Sequence, residues 1–139
     1  MSQREGNDPE AVAGTGAGDE REGAYELFRR GSRLLAEHHP GAAAVVLERC
    51  LALEPGKASI LEALGRAYFN QGAHAEAADR FQEIVDDYPL DHYAHFGLGL
   101  SRARLGDARS AEQHLRMAVF LKPDNEDYQR ALRRFLHAA

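Results

Sequence analysis

Apolar residues recur along this chain at helical intervals, in blocks separated by proline and glycine. The first block places Leu27, Leu34 and Leu35 at that spacing, with Phe28 beside them. Asp19 followed by Glu22 predicts its N-cap and third position. Pro40 predicts its end near His38 or His39, because proline disfavours helical geometry in its predecessor. Pro40 itself suits the first turn of a second helix. That helix shows Ala43, Val46, Leu47, Cys50 and Leu51 on one face and ends at Glu54, Pro55 and Gly56. The plan then repeats. Leu61, Leu64, Tyr68 and Phe69 face inward on a third helix, Gly72 makes the turn, and Ala77, Phe81, Ile84 and Val85 mark a fourth, stopped at Tyr88 and Pro89. A fifth carries Leu98 and Leu105 up to a turn at Gly106, and a sixth carries Ala111, Leu115, Ala118 and Val119 up to Lys122 and Pro123. The last block, with Asp124 as its expected cap and Asp127 three residues on, sets Tyr128, Ala131, Leu132, Phe135 and Leu136 on one face. No window alternates with period two over a strand's length, so the prediction is all-α, with seven helices.

The blocks share one period of 34 residues. Prolines fall at Pro55, Pro89 and Pro123, glycines at Gly31, Gly65 and Gly99, and alanines at Ala43, Ala77 and Ala111. A larger anchor recurs as Leu47, Phe81 and Leu115. Glycine inside a helix costs about 1 kcal/mol relative to alanine. Bearing that cost at one interval implies helices that approach closely, with the large anchors filling the neighbouring holes. The expected division is a tail over 1–19 and a repeat domain over 20–139, with repeats at about 24–57, 58–91 and 92–125. A capping helix at about 125–137 covers the last repeat with one face and shows Arg130, Arg133 and Arg134 on the other.

The run Leu61-x2-Leu64-Gly65-x2-Tyr68, then Ala77-x3-Phe81, then Pro89, resembles the tetratricopeptide repeat pattern, with Leu61 in place of the leading tryptophan. The resemblance covers about residues 24–125 plus the cap. It implies a right-handed α-solenoid of three stacked helix-turn-helix repeats, whose first helices line a concave groove that receives a peptide or helix. Carried onto this chain, the groove positions are Tyr25, Phe28, Ser32 and Leu35, then Ser59, Glu62, Arg66, Phe69 and Asn70, then Tyr93, Phe96, Leu100 and Arg104. Five of the chain's eleven aromatic residues are among them. The family's carboxylate clamp of Lys, Arg and Asn is absent, since the matching positions hold Phe28, Ser32, Ala63, Tyr93 and Gly97. Arg30 replaces a usual leucine, His95 stands at the tryptophan position, and Arg102 at the tyrosine position. The last two departures predict looser packing of the fifth helix, or a pairing of Arg102 with an acid on the cap.

Composition adds limits. Hydrophobic residues at 44% support a core and charged residues at 28% support a soluble surface. The first 23 residues carry six acids against two arginines, whereas the rest is near neutral, so neither nucleic acid nor an anionic membrane is an expected partner. With almost nothing to bury, the tail is expected to be disordered. Its Gly14, Gly16 and Gly18 follow no strand and read as linker, not as a dinucleotide fingerprint. One cysteine forms no internal disulfide, and no signal peptide or membrane span is evident, so a cytoplasmic location is expected. Cys50 reads as a buried core thiol. His92 and His95 share a helix beside Asp91 but lack a fourth ligand for zinc. No metal, no cofactor and no catalytic constellation is expected. The functional expectation is a non-catalytic adaptor binding an apolar or amphipathic peptide or helix of a partner protein in the groove. Two alternatives accompany it: a chaperone-like holder of a secreted substrate, and a scaffold subunit whose exposed first helix pairs with its twin in a homodimer. In an intramolecular variant the acidic tail visits Arg66 and Arg104.

Overall fold

The computed structural model describes residues 23–138. The acidic tail, its glycine run and the expected cap Asp19 lie outside the described residues. Within them the chain forms seven helices and no strand: α1 (Ala24–Ala36), α2 (Pro40–Leu53), α3 (Ala58–Asn70), α4 (His74–Asp87), α5 (His92–Arg104), α6 (Ala108–Leu121) and α7 (Glu126–Ala138). The first helices α1, α3, α5 and α7 begin at one constant interval, as do the second helices α2, α4 and α6. Among the described residues no helix is long and apolar enough to cross a membrane.

Each second helix is wedged between the first helix of its own repeat and that of the next. The core is accordingly serial. One cluster joins Leu27, Leu35, Ala43, Leu47 and Cys50 to Ile60 and Leu64 of the following helix, and another joins Leu61, Ala77, Phe81 and Ile84 to Ala94 and Leu98. The glycine period has the expected cause. A Cβ built on Gly31 would stand 2.6 Å from Leu47, one on Gly65 2.6 Å from Phe81, and one on Gly99 2.9 Å from Leu115. Ala43, Ala77 and Ala111 are completely buried. Phe81 is held from two sides, since a Cβ on Gly97 of α5 would meet its ring at 2.5 Å.

The turns inside each repeat also follow the period. Gly72 and Gly106 take left-handed conformations with φ of 87° and 84°, and the equivalent residue of the first repeat is His38, with φ of 65°. At all three, the next amide donates back to a carbonyl five residues earlier, as His39 does to Leu34, closing the helix end.

Several expectations need correction. Gly23, in extended conformation, is the N-cap of α1 and makes no side-chain cap bond. On α7 the capping side chain is Asn125, whose Oδ1 accepts from the Tyr128 N–H at 3.0 Å, and not Asp124. Leu105 is 48% exposed, because it sits at the C-cap of α5 and not on its buried face. Asp91 and Asp107 cap α5 and α6 through bonds to the Ala94 and Ser110 amides at 3.0 and 3.2 Å.

Arg102 corrects a further expectation. It pairs with no acid on α7 but reaches back to Gln82 Oε1 of α4 at 3.1 Å, with Ser110 Oγ at 2.9 Å and Asp107 at 3.7 Å. One period earlier, Tyr68 donates to the Glu48 carboxylate of α2 in the same relation. Burial, followed by that bond, pushes the Tyr68 hydroxyl up to about 12. Arg102 with Gln82 is therefore the same bond between repeats, with both partners exchanged. The fifth helix is not loosely packed either, for His95 is only 5% exposed. Its Nε2 donates to the Pro89 carbonyl at 2.7 Å. That leaves Nδ1 bare, and it accepts from His114 Nδ1–H at 3.0 Å while the two rings stack.

Candidate functional site

Three hollows open along the side lined by the first helices. The one between α3 and α5 holds about 200 Å³ and is lined by Arg66, Phe69, Asn70, Tyr93, Phe96 and Leu100, with Phe81 and Gly97 also in its wall. Six of the groove residues expected from the sequence thus come together. Phe81 reaches this hollow only because Gly97 has no side chain to block it.

A second hollow, of about 280 Å³, shares Phe69, Phe96 and Leu100 and adds Arg104, with Asp127, Arg130, Ala131 and Arg134 of α7 opposite. Phe69, Phe96 and Leu100 therefore form an apolar ridge between two adjoining spaces. The Arg104 guanidinium lies over the Phe69 ring, 5.2 Å from its centroid. Phe96 stacks on Tyr128 at 4.6 Å and stands 6.2 Å from Tyr93. Tyr128 fixes α7 against α5 through a hydrogen bond between its hydroxyl and His92 Nδ1 at 2.7 Å. Burial, then the nearby Tyr93 and Asp91, pushes that hydroxyl up to about 12.

The third hollow, of about 310 Å³, lies at the opposite end. Tyr25 and Phe28 of α1 and Ser59 of α3 line it with Glu54, Lys57 and Ile60. The expected groove thus divides into two regions. Ser32 is half-buried on α1, outside these hollows, and Leu35 is 8% exposed within the first core cluster. Leu35 turns inward because it lies one helical turn beyond Gly31, on the stripe that α1 packs against α2. Glu62 is half-buried on α3. Burial and then Asp91 hold its carboxyl above the usual range, with Arg66 and His92 opposing. Burial also raises the Tyr93 hydroxyl, with Arg66 opposing and Glu62 adding to it.

His92 and His95 do not converge, as one faces Tyr128 and the other Pro89 and His114. Among the described residues no three His, Cys, Asp or Glu side chains come together to hold a metal ion. Cys50 is buried in the first core cluster and donates from Sγ to the Ala24 carbonyl at 3.3 Å. Burial, with Glu54 adding to it, pushes the thiol up, which disfavours the nucleophilic thiolate.

Sequence reasoning assigned the arginines of α7 to solvent and Tyr128 to helix packing. The signal that places them in the wall was the period itself. Glu126 begins α7 one repeat after His92, so α7 occupies the place of a fourth first helix.

A family model described as "Tetratricopeptide repeat" matches residues 34–98, and another with the same description matches residues 75–126. Over 103 residues the chain is 30% identical to the tetratricopeptide repeat and J domain-containing co-chaperone DNJ1 of Cryptococcus neoformans var. grubii. That stretch is 74% of this chain and 20% of the relative, so the chain spans about a fifth of that protein's length. The fold is similar to the first TPR of Spaghetti (RPAP3) bound to the HSP90 peptide SRMEEVD, with a TM-score of 0.78 and 19% identity over 84% of this chain and 93% of that one. It is also similar to YrrB, a TPR protein with an unusual peptide-binding site, with a TM-score of 0.75 and 22% identity over 79% of this chain and 57% of that one.

Proposed function

This chain belongs to the tetratricopeptide repeat family, and from that premise we propose that it is a non-catalytic adaptor that binds a peptide or helix of a partner protein along its first helices. The observation that carries the reading is the apolar ridge. Phe69, Phe96 and Leu100, contributed by neighbouring first helices, stand between two open hollows. A ridge of rings with a cavity on each side suits a segment that seats apolar anchor residues, since a few desolvated aromatic contacts carry most of the energy in such complexes. The Spaghetti relative holds an HSP90 peptide, but the clamp positions in this chain are Phe28, Ser32, Ala63, Tyr93 and Gly97. Ala63 is buried in the core and Gly97 lies against Phe81, so recognition here rests on the rings.

The test is an affinity pull-down with the intact chain beside a Phe69→Ala/Phe96→Ala variant, with circular dichroism of both. Proteins retained by the parent and lost by a folded variant support the groove. Identical retention by the two refutes it.

A further inference from the structure

We propose that the hollow between α5 and α7 is an acid-recognising subsite, so that the partner is a peptide with acidic side chains next to an apolar anchor. This rests on the peptide-binding reading above and names the chemistry of its ligand. The lining of that hollow carries three guanidinium groups, Arg104, Arg130 and Arg134, against the one carboxylate of Asp127. Asp127 Oδ1 is already engaged by Arg130 Nη1 at 2.8 Å. Arg130 and Arg134 stand one turn apart on the same face of α7, where like charges repel. An anion between them relieves that repulsion.

The apolar and cationic parts are physically joined. Arg104 lies over the Phe69 ring, and Phe69 belongs to the ridge shared with the neighbouring hollow. An anchor side chain seated beside Phe69 and Phe96 therefore brings its neighbours in the peptide within reach of Arg104 and Arg134. On the other side of the ridge stand Asn70 and Arg66, the latter already near the Glu62 carboxylate, so an acid on that flank meets the amide and shares the cation with Glu62. Guanidinium suits this task because it is weakly hydrated, planar and able to hold a carboxylate through two parallel bonds. These arginines occupy none of the clamp positions. They become a site only because α7 stands where a fourth first helix would.

The test pans a phage-displayed library of random dodecapeptides against three forms of the full chain: the parent, Arg104→Gln/Arg134→Gln and Phe69→Ala/Phe96→Ala. The parent pool is expected to be enriched in Asp and Glu beside an aromatic or large aliphatic residue. The arginine variant is expected to keep the apolar anchors and lose the acids. A synthetic peptide from the parent pool should bind that variant about fivefold more weakly at low salt, a gap that closes as ionic strength rises. A parent pool with anchors but no acid enrichment overturns the subsite and leaves the peptide-binding reading standing. A parent pool indistinguishable from that of the phenylalanine variant overturns both. Acid enrichment that emerges only once Glu5, Asp8 and Glu10 are changed to Gln or Asn assigns the hollow to the chain's own N-terminal segment and overturns an external partner. A concentration-dependent dimer by light scattering, abolished by Arg104→Gln/Arg134→Gln, assigns it to a second copy and overturns the proposal equally.

Discussion

Replacing a helical glycine with alanine should change stability in opposite directions at two places in this chain. At Gly41 in α2 the nearest atom to a new Cβ is Gln71 Oε1 at 3.5 Å, an ordinary contact. Gly41→Ala therefore gains helix propensity without a clash and should stabilise by up to about 1 kcal/mol. At Gly65 the new methyl would stand 2.6 Å from Phe81 Cζ and 2.8 Å from both Cε atoms. The ring cannot retreat toward α5, because it also lies against Gly97 there. Overpacking of this kind costs about 1–3 kcal/mol, and because the ring is held on both sides the upper part of that range applies. Subtracting the propensity gain leaves Gly65→Ala destabilised by about 1–2 kcal/mol. The two variants should thus differ by about 2–3 kcal/mol. Urea denaturation followed by far-UV circular dichroism measures this as two midpoint shifts of opposite sign at unchanged slope. If Gly65→Ala shifts its midpoint upward with Gly41→Ala, the glycine period does not exist for close packing, and the account of the repeat fails.

Three other predictions concern separate parts of the fold. His38 holds the left-handed turn position that Gly72 and Gly106 hold elsewhere. His38→Gly should relieve roughly 1–2 kcal/mol of strain against a glycine entropy cost of roughly 0.5–1, raising the melting temperature slightly; a fall would show that the His38 side chain does more than tolerate its backbone. Ala77→Leu, at a completely buried position, should destabilise by about 1–3 kcal/mol, and a thermal melt identical to the parent's would contradict its place between helices. Burial, then His95 and Arg102, holds the His114 imidazole below its ordinary value, with only Asp107 opposing. The neutral ring is therefore the form favoured by folding. Its contribution is complete above the unfolded value near 6.5 and is lost as the pH falls below it toward the folded value. Urea midpoints should drop between pH 7.5 and 5.5 by more in the parent than in His114→Gln. Equal drops would remove the histidine pair as the cause.

Much of the architecture was legible because it is one-dimensional. Periodic Gly, Ala and Pro residues place every helix to within a few residues, since in a solenoid each unit packs only on its neighbours and local spacing determines the contacts. The turn glycines and the buried anchors follow from the same arithmetic, and six residues of the α3–α5 hollow from the family resemblance. Contacts between non-equivalent residues were not legible. Arg102 looked like a defect until Gln82 was seen at the place of Glu48. His95 looked misplaced until Pro89 and His114 were seen to satisfy its two nitrogens. Leu35 matched a groove position but lies inside, because burial depends on which neighbour a helix face meets. The arginines of α7 read as a solvated face, and only the seating of α7 against α5 turned two of them toward Phe69 and Phe96. Spacing along the chain determined which helices touch; the rotation of each helix about its axis, decided by side chains far apart in sequence, determined what lines the space between them.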